Sequence, residues 1–265
     1  MPAGYHPFVP QATITHLDGS KTTRDGTRLL LGPIDGSKSF VVPDGVTYIG
    51  RAAFQHNSTI RSIKLPAGLT KIGELAFQGC SKIEEMYIPD SVTKIGSEAF
   101  AWCIVLDHVA LPAGLESLGQ GALAGCKSLE AIYFPDGLTN IEPRTCSRCH
   151  SLVDVHLPES LRSIFHDAFA GCQGIEEIII PHGCYWIESA AFNGCTSLRD
   201  VEVPDECHAV LAAFPDGCRV TKASEGRMTR ALQLVSERAN DGVEIVGMHA
   251  PAQIAHIDAG AGRAI

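Results

Sequence analysis

Residues 88–109 read IPDSVTKIGSEAFAWCIVLDHV, and the apolar letters of that stretch recur 23 positions away in both directions. Cysteines stand at 80, 103, 126, 149, 172, 195 and 218, and prolines at 43, 66, 89, 112, 135, 158, 181 and 204 keep the same step. Self-similarity at a fixed period of about 20–50 residues marks an array in which one supersecondary unit stacks on the next. The period therefore decides the architecture before any local assignment is made.

The remaining columns describe one coil. After each of the first six prolines come a small or acidic residue, Gly or Ser, and an aliphatic such as Leu69, Val92 or Leu115; three residues on stands Ile72, Ile95 or Leu118. A small residue then precedes an aromatic, as in Ala53-Phe54, Ala76-Phe77, Ala99-Phe100, Ala168-Phe169 and Ala191-Phe192, with Leu123 and Cys146 as substitutes. Gly-Cys follows, intact at 79–80, 125–126, 171–172, 194–195 and 217–218. Last, an alternating run such as Leu106, Val109 and Leu111 reads as a strand that ends at the next proline, where the missing N–H costs the ladder least.

No repeat can bury these apolar positions alone. In-register stacking of roughly eight coils, each about 4.8 Å from the next, makes a shared core about 40 Å long. The expectation is a β-rich, α/β-poor repeat solenoid: a right-handed coil with one parallel sheet and Phe54, Phe77, Phe100, Phe169 and Phe192 stacked inside.

Residues 88–109 resemble, nearly letter for letter, the repeat of BspA-type leucine-rich repeat proteins, approximately I-P-x-S-V-T-x-I-G-x-x-A-F-x-G-C-x-x-L-x-x-V. The resemblance covers about residues 40–218. It implies a leucine-rich-repeat solenoid and an adhesive or partner-binding role of the kind found on bacterial and protozoan surfaces. It brings no catalytic residues.

The uninterrupted repeat leaves no linker to divide the 265 residues, so the expected organisation is one elongated domain with caps. Residues 1–42 form an N-terminal β-hairpin cap, signalled by Asp18-Gly19, Asp25-Gly26 and Asp35-Gly36 between extended runs. Residues 43–218 form the solenoid. Residues 219–265 hold an amphipathic helix over 225–239, with Ser224 as N-cap, a strand near 243–248 and an Ala/Gly-rich tail. The start, MPAGYHPFVPQATITHL, has neither a basic n-region nor an apolar h-region, which predicts a chain not exported by a standard route.

Ten cysteines in 265 residues fall below the roughly 8–10% of disulfide-dense modules. All ten occupy core columns, where free Cys behaves as a small buried hydrophobe. Reduced thiols in a cytoplasmic or other reducing compartment are expected; the alternative is a cell-surface location.

Few candidate chemical motifs outweigh this packing account. Cys146-Ser147-Arg148-Cys149-His150 spells C-x-x-C-H, the haem-attachment string, but the cysteine ladder demands Cys149 and the aromatic column takes Cys146. Asn57-Ser58-Thr59 is a glycosylation sequon at the cysteine slot of the first coil. DGSK at 18–21 and 35–38 lacks the adjacent Gly-Lys of a phosphate loop. His108 and His156 lie in outward strand columns and read as solvated surface. No cofactor, metal or catalytic set is expected.

The outward strand columns carry more information. They hold Glu84, Glu85, Asp107, Glu130, Asp154, Glu176, Glu177, Asp200 and Glu202 against Arg61, Lys64 and Arg199, in a chain of formal net charge −9. Such a face repels phosphate backbones and anionic lipid, so nucleic acid and membrane insertion are not expected. A protein partner, basic in character, fits better. The candidate binding residues are Tyr87 and Tyr133 as anchors with Glu85, Asp154 and Glu177 steering, followed by Tyr185 and Trp186 on an opposite edge. Three readings stay open: an interaction solenoid serving as scaffold or subunit of an assembly, a BspA-type surface adhesin, and an enzyme.

Overall fold

Between one proline and the next the chain completes one turn of a coil, and successive turns are joined by backbone hydrogen bonds on three sides. The structure, a computed structural model, describes residues 13–209 and 211–224. Contacts gather Met1–Ser224 into one unit and Glu225–Ile265 into another. The helix expected over 225–239, the strand near 243–248 and the tail fall outside the described residues.

The first side carries the strands that end before proline. Ser39–Val41 pairs in parallel with Ser62–Lys64, Glu85–Tyr87 with His108–Ala110, and Ala131–Tyr133 with Asp154–His156, each in register at the 23-residue step. The middle residues Met86, Val109 and Ile132 are buried, while Glu85, Tyr87, His108, Ala110 and Tyr133 are exposed. This is the period-2 alternation of a strand covering a core. The parallel pairing continues beyond the cysteine column: Asp200–Val203 pairs with Arg219–Lys222.

The second side revises the expectation of one parallel sheet. Two-residue strands at Tyr48–Ile49, Lys71–Ile72, Lys94–Ile95 and Ser117–Leu118 form one parallel run, and Asn140–Ile141, Ser163–Ile164, Trp186–Ile187 and His208–Ala209 form another. Two residues are too few to show a period, so the sequence gives no strand signal there. Stacking supplies the partner.

The third side is built of turns. In the coil around Phe100, the amides of Glu98, Phe100 and Trp102 donate to the carbonyls of Gln120, Ala122 and Ala124 in the next coil at 2.7–2.8 Å. The intervening amides of Ala99, Ala101 and Cys103 donate back three residues, to Gly96, Glu98 and Phe100. Alternate amides thus point along the axis and within the coil, and none in this stretch is left unpaired. The geometry needs two positive-φ residues per coil, such as Glu98 (52°) and Trp102 (62°), or Gly121 (62°) and Gly125 (74°).

Inside, Phe54, Phe77 and Phe100 stack at 4.9 and 5.3 Å, and Phe169, Phe192 and Phe214 at 5.3 and 5.4 Å. The two stacks are separated by Leu123 and Cys146, both fully buried. Phe134, from the long-strand side, brings its ring within 6.3 Å of Phe169 in an edge contact, placing a large side chain beside the smaller ones.

The cysteine ladder does more than fill space. The thiols of Cys80, Cys103, Cys126, Cys149, Cys172 and Cys195 each donate to the carbonyl of the aromatic-column residue 26 positions earlier, at 3.0–3.2 Å. Burial pushes the Cys80 thiol up to about 12 and those of Cys103 and Cys126 well above their ordinary value. Asn57 takes the slot in the first coil. Its amide oxygen accepts from the backbone of Thr59 and Ile60, and its amide nitrogen donates to the Pro33 carbonyl at 3.5 Å, so the sequon asparagine is half-buried and engaged in the fold.

At the N-terminal end β1 (Thr13–Thr15), β2 (Lys21–Thr23) and β3 (Arg28–Leu31) pair antiparallel in sequence, and β3 then pairs in parallel with Tyr48–Ile49. A hairpin sheet thereby passes directly into the second ladder and covers its edge. The turn between β2 and β3 is tied by Asp25, which accepts from the Thr23 and Thr27 hydroxyls at 2.5 and 2.9 Å. These bonds hold its carboxyl below the ordinary carboxylate value.

Candidate functional site

The long strands place the predicted anchors and acids on one face. Tyr87 and Tyr133 are 63% and 57% exposed, and each phenol is fixed by an acid of the same face. Tyr87 Oη donates to Glu85 Oε2 at 2.7 Å and Tyr133 Oη to Asp154 Oδ2 at 2.8 Å. Those hydrogen bonds raise both phenol pKa values. His156 stacks on Tyr133 with ring centroids 4.3 Å apart and brings Nε2 within 2.9 Å of Asp154 Oδ1. The result is a Tyr–Asp–His cluster that sequence reading treated as separate residues. Opposite Tyr87 the position equivalent to His156 is Ala110, and His108, from the column of Asp154, lies 6.2 Å away in a tilted arrangement.

Glu177 is exposed on the stretch 175–180, which pairs in neither ladder. Tyr185 and Trp186 are 51% and 40% exposed, with Trp186 in the second ladder beside His208 at 6.4 Å. The structure brings Glu85 to Tyr87 and Asp154 to Tyr133, and it sets Tyr185 and Trp186 on another side.

The C-x-x-C-H string is accounted for by packing. Cys146 and Cys149 are fully buried, Cys149 donates to Leu123, and the Cys146 carbonyl accepts from the Cys172 thiol. Among the described residues no group of three or more His, Cys, Asp or Glu is arranged to hold a metal ion. Among them, too, no helix is long and apolar enough to cross a membrane.

A second site, on the turn side, went unread in the sequence. A furrow of about 530 Å³ runs over the turns, floored by Ala101, Ala124, Ser147 and Ala170. One wall is Glu98, Gly121, Arg144 and Asp167, and the other is Trp102, Gly125, Arg148 and Gly171; every wall residue has positive φ. The Trp102 ring lies over Gly125, where a Cβ would come within 2.6 Å of indole Cε3. Trp102 and Arg148 occupy the slot held by glycine at 79, 125, 171 and 194. A side chain there costs about 1 kcal/mol or more. The signal was present in the sequence as a glycine column interrupted by His56, Trp102 and Arg148.

The likeness to known proteins agrees with this geometry. The family model described as the BspA type leucine rich repeat region matches residues 36–153 and 124–224. A solved leucine-rich repeat protein from Eubacterium ventriosum is 26% identical with a TM-score of 0.63, over 69% of this chain and 50% of that one. One from Bacteroides ovatus is 26% identical with a TM-score of 0.56, over 81% and 59%. The chain thus spans between half and three-fifths of the length of these two relatives. The leucine-rich repeat protein of T. pallidum, 24% identical with a TM-score of 0.60 over 71% and 87%, shares the fold. No curated protein matches. With its 23-residue columns stacked as coils and its repeat matched from residue 36 to residue 224, the chain belongs to the BspA-type leucine-rich repeat family.

Proposed function

We propose that this chain is a non-catalytic protein-interaction solenoid, a scaffold or subunit of a larger assembly, that binds a basic protein partner through its acidic long-strand face. Stacked repeats present extended surfaces suited to binding. The observation that carries the reading is the fixing of exposed aromatics by neighbouring acids: Tyr87 by Glu85, and Tyr133 by Asp154 with His156 stacked on it. An anchor already held in one rotamer loses less entropy on binding than a free one. Aromatics in such positions are the usual hot spots, while acids such as Glu177 at the rim act on association rate.

The test is affinity capture with the full chain, followed by the Tyr87→Ala/Tyr133→Ala double variant against the captured partner. Truncating a central anchor commonly costs about 2 kcal/mol or more, about thirtyfold in Kd. Binding unchanged within about threefold, by a variant that melts normally, moves the site off this face.

A second reading, a BspA-type surface adhesin, is favoured by family membership itself. The ten free cysteines favour a reducing compartment. Fractionation of native cells separates the two.

A further inference from the structure

The turn-side furrow differs from the acidic face in every respect that bears on ligand class. Its charged walls balance, Glu98 and Asp167 against Arg144 and Arg148, although the chain carries −9. It is also bounded. The floor column starts with Gln55 and Gln78, which bond to each other at 2.6 Å and onward to Glu98 at 2.7 Å, filling the groove there. It then shrinks to Ala101, Ala124, Ser147 and Ala170 and ends at Asn193. Four open coils give a trough about 19 Å long.

We infer that this furrow binds a short stretch of a neutral, extended oligosaccharide, with the Trp102 indole as the platform for one pyranose ring. The backbone lining it is already engaged. Amides of Trp102, Gly125 and Arg148 donate to the next coil, and those of Ala101, Ala124, Ser147 and Ala170 donate within their own turns. A peptide therefore finds no free strand edge to extend, and recognition must come from side chains.

Those side chains are planar and polar: the guanidiniums of Arg144 and Arg148, the carboxylates of Glu98 and Asp167, and the amides of Gln120 and Asn193. Each offers paired donors or acceptors that match vicinal hydroxyls. The Arg148 guanidinium has no hydrogen bond or ion pair among the described residues, whereas Arg144 Nε lies 3.7 Å from Asp167 Oδ2. An exposed aromatic face beside such groups suits a ring with one C–H face and a hydroxylated rim. A polyanion gains little from a neutral trough. An apolar ligand finds no aliphatic lining larger than alanine.

The indole is kept at 62° in a slot that four other coils fill with glycine, and one of its faces packs on Gly125. The side chain is 41% exposed.

Trp186→Phe leaves Trp102 as the sole tryptophan, so its emission reports the furrow directly. The full-length variant is titrated with cellohexaose, laminarihexaose, xylohexaose and chitohexaose, with hexagalacturonate as the charged control. At least one neutral hexamer should shift the emission with Kd below about 1 mM. By titration calorimetry, Trp102→Gly should weaken that hexamer at least about tenfold, Arg148→Gly should weaken it less, and Tyr87→Ala/Tyr133→Ala should leave it unchanged. Glycine serves that slot elsewhere in the array, so both furrow variants are expected to fold; melting curves check this. No response to any neutral hexamer, binding that survives Trp102→Gly in a folded protein, or response to hexagalacturonate alone would each overturn the inference. So would a peptide that depends on Trp102 when no sugar does.

Discussion

The turn side and the long-strand side follow the same 23-residue step but cohere by different means. On the turn side, amide-to-carbonyl bonds link coil to coil from Ala52–Glu74 through Phe192–Ala213. On the long-strand side the described strands pair two by two, with the stretch 175–180 outside any ladder. Where the backbone supplies continuity, the wall positions are conformationally demanding and the side chains projecting from them can vary, from glycine to tryptophan. Where packing supplies it, every second residue must be apolar, and freedom is left to the outward column that gathered acids and tyrosines.

The interior shared by both sides gives the largest expected effects. Unfolded thiols ionise near 9, whereas burial holds Cys80 to about 12. A raised native pKa contributes stability that is fully present below pH 9 and is lost between 9 and 12, at about 1.4 kcal/mol per pH unit for that one cysteine. With Cys103 and Cys126 shifted in the same direction for the same reason, the solenoid should unfold on alkaline titration within this window. Circular dichroism stable to pH 12 would deny the ladder its role. Phe100→Ala, which opens the ring stack between Phe77 and Leu123, should cost about 3–5 kcal/mol in denaturant melts.

Closer to the comparison itself, Gly125→Ala places a Cβ on a residue at 74° and against the Trp102 ring. It should cost about 2 kcal/mol, falling to about 1 kcal/mol in a Trp102→Gly background. Equal costs in both backgrounds would mean that ring and glycine do not pack. The smallest effect belongs to the outward strand column: Tyr87→Ala/Tyr133→Ala should change stability by no more than about 0.5 kcal/mol per site. A larger loss would make the tyrosines part of what joins the coils.

Stacking order, the buried columns and the acidic face were legible because in-register repeats place like on like and strands alternate with period two. The Tyr133–Asp154–His156 cluster was legible only as separate letters, since its members come from neighbouring coils and their pairing depends on rotamers. The two-residue strands carried no period at all. Trp102 and Arg148 stood in plain view as departures from Gly-Cys, but a missing glycine looks like ordinary drift unless the slot is known to need positive φ.

By itself, the sequence determined that this chain is an array of 23-residue coils with an aromatic and cysteine interior, because burial of a recurring apolar set is possible only by stacking. Tertiary structure alone decided what the columns do for one another. It aimed six ladder thiols at carbonyls 26 residues back, set Phe134 edge-on to Phe169, and opened a furrow where the floor shrinks to alanine and serine. These depend on distances between coils and on backbone angles, which a one-dimensional pattern does not contain.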